Sequence, residues 1–156
     1  MNRSVLFYIW VAITSYLSGP IVYVASLWII YGEKTNDLKP LITWTAFAFF
    51  SVGLLSYLLS VIFLRSINRY YFWSQTLLFV LMGGVPVAII LFIMGSFNAA
   101  NFTLVFSPEG LIFFLSFTGM ALLASYGTWI TQKGLNKKPF IFISIVVIAL
   151  FILVTK

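Results

Sequence analysis

Long uninterrupted apolar runs alternate with short polar connectors along the whole chain. These runs predict five helices, at residues 5–31, 41–64, 76–94, 111–130 and 139–155. A helix needs about 20 apolar residues to cross the hydrocarbon core of a bilayer. The fifth run is shorter than the others, and snorkelling by Lys138 and Lys156 would help it to span. The pattern therefore predicts an all-α, polytopic integral membrane bundle of about five transmembrane helices, with residues 1–156 as a single membrane domain.

The composition favours the same class of protein. Hydrophobic side chains make up 62% of the 156 residues and charged side chains 8%, whereas soluble domains are roughly half apolar and about a quarter charged. The net charge of +6 would suggest a nucleic-acid partner if the cations formed one face of a soluble domain. They fall instead at the ends of the apolar runs. We therefore predict no nucleic-acid partner, and a lipid bilayer with an anionic inner leaflet as the surface that the cations meet.

Two basic connectors set the expected orientation. Residues 65–73 and 131–139 fall on the same side as the N-terminus if there are five spans, and together they contain Arg65, Arg69, Lys133, Lys137 and Lys138. Positive charge is retained on the cytoplasmic side of a membrane. We predict a protein of the cell membrane with a cytoplasmic N-terminus and an external C-terminus. A re-entrant fifth segment would instead return the C-terminus to the cytoplasm.

Small residues and prolines interrupt several of the apolar runs. Glycine, alanine and serine allow helices to approach closely in a membrane, where lipid offers no hydrophobic gain for association. The positions that we assign to helix hinges or helix packing are Gly19, Pro20, Ser56, Ser60, Gly83, Gly84, Pro86, Ala121 and Ser125. Pro20 predicts a kink in the first span near Ser18, because proline removes one helical hydrogen bond. Ser56 and Ser60 lie one helical turn apart, a spacing that allows close backbone approach and hydrogen bonds to another helix.

The third predicted span contains the strongest interruption within the membrane. Gly83 and Gly84 are followed by Pro86, and a weakened helical ladder is tolerated at this depth only where protein or a cavity satisfies the freed carbonyls. The segment should therefore face the bundle interior. Two interpretations remain open: a kinked, closely packed helix, or a hinge of the kind found in transporters.

The connector at residues 95–110 has no Lys or Arg and belongs on the outer side. Phe97, Phe102 and Phe106 make it apolar enough to lie in the interface or to cover the bundle as a flap. Ser107 followed by Pro108 predicts a helix start, since serine is a common N-cap and proline suits the first helical turn.

The chemistry available to the chain is limited. Cys and His are absent, which removes thiol and imidazole chemistry. The acids Glu33, Asp37 and Glu109 all lie outside the predicted spans. Glu33 and Asp37 share a connector with two lysines, an arrangement more typical of a solvated loop than of a calcium site. We therefore predict no enzymatic activity, no cofactor and no metal.

Two functions are compatible with this pattern. The first hypothesis is a non-catalytic multi-pass protein that acts through helix–helix association, as an accessory or immunity-type partner of another membrane component. The partners left open are a membrane protein and a homo-oligomer. It depends on the small-residue stripes of the second and fourth spans. The alternative is a small carrier or channel for a neutral or lipid-like solute, which would use the interruption at Gly83 to Pro86 and the outer flap.

Overall fold

The computed structural model describes residues 3–33, 38–94 and 107–155, and within these ranges the chain forms five helices. The second helix is continuous and has three parts: α2, a π-helical turn and α3. The helical bounds are α1 Arg3–Tyr31, α2 Lys39–Ala48, the π-helical turn Phe49–Gly53, α3 Leu54–Ser66, α4 Phe72–Met94, α5 Pro108–Lys133 and α6 Lys138–Val154.

Three of the described helices are long and apolar enough to cross a membrane: Val5–Tyr31, Lys39–Ser66 and Gly110–Lys133. Two further apolar helices, Phe72–Ala88 and Lys138–Val154, are shorter. All secondary structure in the described ranges is helical. The prediction of an all-α helical membrane bundle is therefore confirmed.

The local signals for helix ends are also confirmed. Ser107 Oγ accepts a hydrogen bond from the backbone N–H of Gly110 at 3.1 Å, and Pro108 occupies the first turn of α5. This arrangement satisfies a donor that the helix itself leaves unpaired. At the other end of α5, Gly134 adopts φ 63°, the left-handed conformation that glycine permits at a helix C-terminus.

Both basic connectors are shorter than the sequence predicts. Arg65 belongs to α3, Trp73 to α4 and Lys133 to α5, so the connectors reduce to residues 67–71 and 134–137. Arg65 and Lys133 lie in the last turns of their helices, where a cation interacts favourably with the helix dipole. Apolar runs mark only the part of a helix that lies in hydrocarbon, and the helical backbone continues beyond it.

Helix α5 lies at the centre of the bundle. It packs along α1 on one side and along α4 on the other, α6 packs on α1, and α3 packs on α4. The main core forms where these helices meet, and its largest members are Tyr16, Phe49, Tyr57, Phe79, Phe117 and Met120. A second cluster, Phe7, Val11, Ile130 and Phe140, joins α1, α5 and α6.

The interruption in the third span faces α5. A Cβ added at Gly83 would lie 3.3 Å from the carbonyl oxygen of Phe117 and 3.5 Å from Cβ of Ala121, so the two backbones approach closely. Pro86 is also buried, and α4 remains helical through it. The inward orientation expected for this segment is what the structure shows, because only protein can cover its weakened ladder.

Pro20 and Gly19 occupy an equivalent position in α1. Pro20 is buried and α1 remains helical through it, while the Gly19 carbonyl accepts a hydrogen bond from Ser116 Oγ of α5 at 2.8 Å. The hydroxyls of Ser56 and Ser60 bond within their own helix, to Val52 O at 2.8 Å and to Ser56 O at 2.7 Å. The carbonyl four residues earlier is always within reach of a helical serine, so the interhelical bond is not required.

Two buried tyrosines provide a matched test of this packing. The Tyr57 ring stacks on Phe79 with centroids 4.5 Å apart, but its hydroxyl has no hydrogen-bond partner. We expect Tyr57→Phe to raise the free energy of unfolding by about 1 kcal/mol, because it removes an unsatisfied buried group. Tyr16 donates to the Ile42 carbonyl at 2.7 Å. Tyr16→Phe should therefore lower the free energy of unfolding by about 1 kcal/mol. Denaturation in detergent measures both values, and a less stable Tyr57→Phe would contradict the prediction.

Candidate functional site: a lateral groove at the basic end of the bundle

A groove separates α1 from α3 because the second helix contacts α1 at only one end. Near that contact Tyr16 of α1 bonds to Ile42, and its ring lies 5.3 Å from that of Phe50, centroid to centroid. Beyond this point α3 packs on α4 and α1 packs on α5. The groove occupies the space between α1 and α3 and extends to Arg65.

The groove has a volume of about 600 Å³ and an almost wholly apolar lining. Its two walls come from residues 8–12 of α1 and residues 54–65 of α3, and its floor includes Phe79 of α4 and Ala124 and Thr128 of α5. Ligand sites in proteins typically occupy about 300–1,000 Å³. The space is therefore large enough for a small molecule or part of a lipid.

The groove opens sideways, toward the region that lipid would occupy. Ile9 on one wall is 47% exposed, and Leu58 and Ile62 on the other are 58% and 56% exposed. Apolar side chains that are half exposed at the rim of an apolar groove are favourable only if hydrocarbon covers them. The groove is therefore open at its side to an apolar molecule.

A polar group closes one end of the groove. Arg65 Nη2 at the end of α3 donates to Gln132 Oε1 of α5 at 2.8 Å, and both residues line the groove. The Arg65 guanidinium also lies 5.5 Å from the centroid of the Tyr70 ring. This contact links the connector between α3 and α4 to the mouth of the groove.

Further cations and aromatic rings surround this polar end. Lys133 Nζ lies 5.1 Å from the Trp129 ring centroid and 5.9 Å from that of Tyr70, and these two rings stack at 5.5 Å. Lys137 Nζ lies 4.6 Å from the Phe7 ring at the start of α1. Each such cation–ring contact contributes roughly 0.5–1 kcal/mol at an exposed site. Together they hold positive charge at one end of the bundle.

The buried side-chain amide of Gln75 joins Tyr70, one of the aromatic rings at the basic end, to α5. Gln75 is fully buried, and its Nε2 donates to Ser125 O at 2.9 Å and contacts Ser125 Oγ at 3.2 Å, while its Oε1 accepts from Tyr70. Thr76 Oγ1 lies 2.8 Å from Ser125 Oγ. Burial raises the pKa of Tyr70 to about 12, although Arg65 opposes the shift. The hydroxyl therefore remains a donor to Gln75 at neutral pH.

The structure separates the residues singled out in the sequence into two groups. Arg65, Lys133 and Lys137 converge on the basic end through the ring contacts described above, whereas Arg69 and Lys138 lie exposed in or beside the connectors. The small residues lie inside the bundle: Ala121 and Ser125 are fully buried, with Ala121 close to Gly83 and Ser125 bonded to α4. A Cβ added at Gly84 would lie 3.3 Å from the ring of Phe114.

Sequence reasoning missed Gln75, Gln132 and Tyr70. The two glutamines are uncharged and belong to no motif, but a glutamine next to an apolar run costs free energy unless it finds a partner. That cost is the signal by which both glutamines can be found in the sequence. The outer connector at residues 95–106 and the acid Asp37 lie outside the described residues. Among the residues described, no cluster of three His, Cys, Asp or Glu side chains forms.

Comparisons with protein families, with characterised proteins and with solved structures find no match to this chain. The groove and its basic end are therefore the basis for a functional proposal.

Proposed function

We propose that this chain is a non-catalytic multi-pass protein of the cell membrane that binds a lipid-like solute in the lateral groove between α1 and α3. The observation that carries the proposal is an apolar space of about 600 Å³ whose rim is exposed to the bilayer and whose one polar end holds Arg65 and Gln132. An amphiphile has the same division between an apolar body and a polar head.

The proposal concerns binding rather than a hinge-driven carrier cycle. Gly83 lies against α5 and Pro86 is buried, and Phe79 is the α4 residue in the groove lining. The interruption in α4 is used for close packing on α5. It also meets the groove lining at the Tyr57 hydroxyl, which would lie 3.5 Å from a Cβ added at Gly83. Lipid binding is supported without a hinge at this interruption.

Helix–helix association with another protein remains a prediction, but it has lost part of its basis. The fourth-span residues that suggested it, Ala121 and Ser125, contact α4 of the same chain. Ser60 of the second span is buried as well. Because these small residues pack within the bundle, the groove provides the stronger argument.

We propose that the groove lies in the inner half of the membrane, with the N-terminus in the cytoplasm and the C-terminus outside. The clustering of Arg65, Lys133 and Lys137 at the end of the bundle that also holds Phe7 supports this orientation, since positive charge favours the cytoplasmic side. The absence of His and Cys from the sequence supports a non-catalytic role.

Filling the groove tests the proposal. Ala12 lines the groove on α1, and Ala12→Trp would place an indole in it. We expect the wild type to retain a lipid-sized molecule through purification in mild detergent, and Ala12→Trp to retain at least about tenfold less, a difference of roughly 1.4 kcal/mol. Native mass spectrometry measures the bound mass directly.

Ala25→Trp is the matched control, because Ala25 is an exposed residue of the same helix outside the groove. It should retain the molecule as the wild type does. Val61→Trp fills the groove from α3 and serves if Ala12→Trp loses helical circular dichroism. If a folded groove-filled variant retained as much as the wild type, the groove would not be the binding site and the proposal would be wrong.

A further inference from the structure

Arg65, the charged residue of the groove lining, lies at the basic end. Arg65 and Gln132 close this end, and Thr128 lies one turn before Gln132 on α5. Away from this end the lining is largely apolar, with the uncharged Tyr57 hydroxyl as a polar group. A ligand that fills the groove therefore places its polar part at Arg65. The chemistry of Arg65 then decides which polar part is favoured.

The charge of Arg65 is not neutralised by any carboxylate that the structure describes. Glu33 is the one acid whose side chain is described, and it lies beyond the far end of α1, past Tyr31. Arg65 instead donates to the neutral Gln132 and lies over the Tyr70 ring. A guanidinium with one donor engaged retains others for a phosphate, which it matches in geometry and charge.

Neighbouring groups strengthen the preference for an anion. Gln132 accepts from Arg65 through Oε1, which leaves its amide N–H donors without a described partner. Lys133 follows directly in sequence and adds positive charge beside the Tyr70 and Trp129 rings. Donors and cations therefore converge where the headgroup of a molecule in the groove would lie.

We infer that the occupant of the groove is a single phospholipid with an anionic headgroup, whose phosphate binds Arg65 and Gln132 and whose acyl chain lies between α1 and α3. This inference rests on the proposed function and adds the class of ligand. It differs from general attraction of a basic surface to anionic lipid, because it assigns the selectivity to one arginine.

The test compares two arginines that are four residues apart. Wild type, Arg65→Gln and Arg69→Gln are reconstituted in equimolar dioleoyl phosphatidylglycerol and dioleoyl phosphatidylcholine, re-extracted in mild detergent, and analysed for bound lipid by mass spectrometry. We expect the wild type to favour phosphatidylglycerol about fivefold, the ratio that corresponds to about 1 kcal/mol for one cation. Arg65→Gln should retain lipid without the preference.

Arg69→Gln removes the same charge from an exposed position outside the groove and should leave the preference unchanged. Arg65→Lys keeps the charge and should restore most of the preference, which separates an electrostatic role from a structural one. Both variants should retain the helical circular dichroism of the wild type.

Three results would overturn the inference in distinguishable ways. Equal loss of preference in Arg65→Gln and Arg69→Gln would mean diffuse attraction of the basic end. Retention of both lipids in equal amounts by the wild type would remove the anionic class but leave lipid binding intact. Retention of neither lipid by the wild type would overturn the proposed function itself.

Discussion

Gly127→Ala is expected to lower the free energy of unfolding by about 2 kcal/mol, because it overpacks the junction of three helices. A Cβ at this position would lie 2.5 Å from Cγ1 of Val11 in α1 and 2.8 Å from Cε2 of Phe140 in α6. Val11 is β-branched and Phe140 is fully buried, so neither side chain can move aside cheaply. The helices must separate instead.

Gly53→Ala is the control for this change. Its Cβ would meet the Phe49 ring at 3.5 Å, an ordinary contact, and Gly53 has helical backbone angles. Alanine is favoured over glycine in a helix by about 1 kcal/mol, so this variant should be as stable as the wild type or more so. Thermal denaturation in one detergent compares the pair. Equal stability of the two variants would mean that α1, α5 and α6 do not meet as closely as described.

Gln75→Leu is expected to cost about 2 kcal/mol of stability while leaving the volume of the core nearly unchanged. Gln75 makes two contacts to Ser125 and accepts from Tyr70, and it joins the start of α4 to α5. Side-chain hydrogen bonds within membrane bundles contribute about 0.6 kcal/mol each, and three of them account for the estimate.

Gln132→Leu is the control for this change. Gln132 is half-buried at the end of the groove, and its replacement removes one hydrogen bond, from Arg65. Its effect on stability in detergent should stay within about 0.5 kcal/mol. Unfolding of both variants by a denaturing detergent gives the comparison. A Gln75→Leu protein as stable as Gln132→Leu would contradict the view that the buried amide holds α4 to α5.

The contacts of Gln75 connect the packing of α4 on α5 to the proposed binding site. The α4–α5 contact that Gln75 stabilises also positions Tyr70, whose ring faces Arg65 at the mouth of the groove. Gln75→Leu should therefore loosen the connector that borders the polar end, although Gln75 does not line the groove.

Helix ends were predictable because their causes are local. Ser107 and Pro108 begin α5 through an N-cap hydrogen bond and a fixed φ, both of which involve residues within one turn. Apolar length likewise indicates a helix wherever hydrocarbon excludes unpaired backbone groups. At the basic connectors the helices extend beyond the apolar runs: α3 continues to Ser66, α4 begins at Phe72 and α5 continues to Lys133.

The faces of the helices were not predictable in the same way. In a soluble bundle the buried face is apolar and the exposed face polar, but here Leu58 is 58% exposed and Phe79 is 1% exposed, and both are apolar. Hydrophobicity therefore carries no information about which side of a helix meets protein. Small residues mark close contacts, yet they do not indicate which helix is the partner.

The sequence by itself determined that this protein is an all-α membrane bundle. It also determined the ends of the helices to within a few residues and the position of the cations at those ends. Each of these depends on local composition. Only the tertiary structure decided that Ala121 and Ser125 face α4, that Ser60 bonds within its own helix, and that a groove lies between α1 and α3. The polar end of the groove exists because residues as distant in sequence as Arg65 and Gln132 meet there. Such a meeting depends on how whole helices pack, which no single segment encodes.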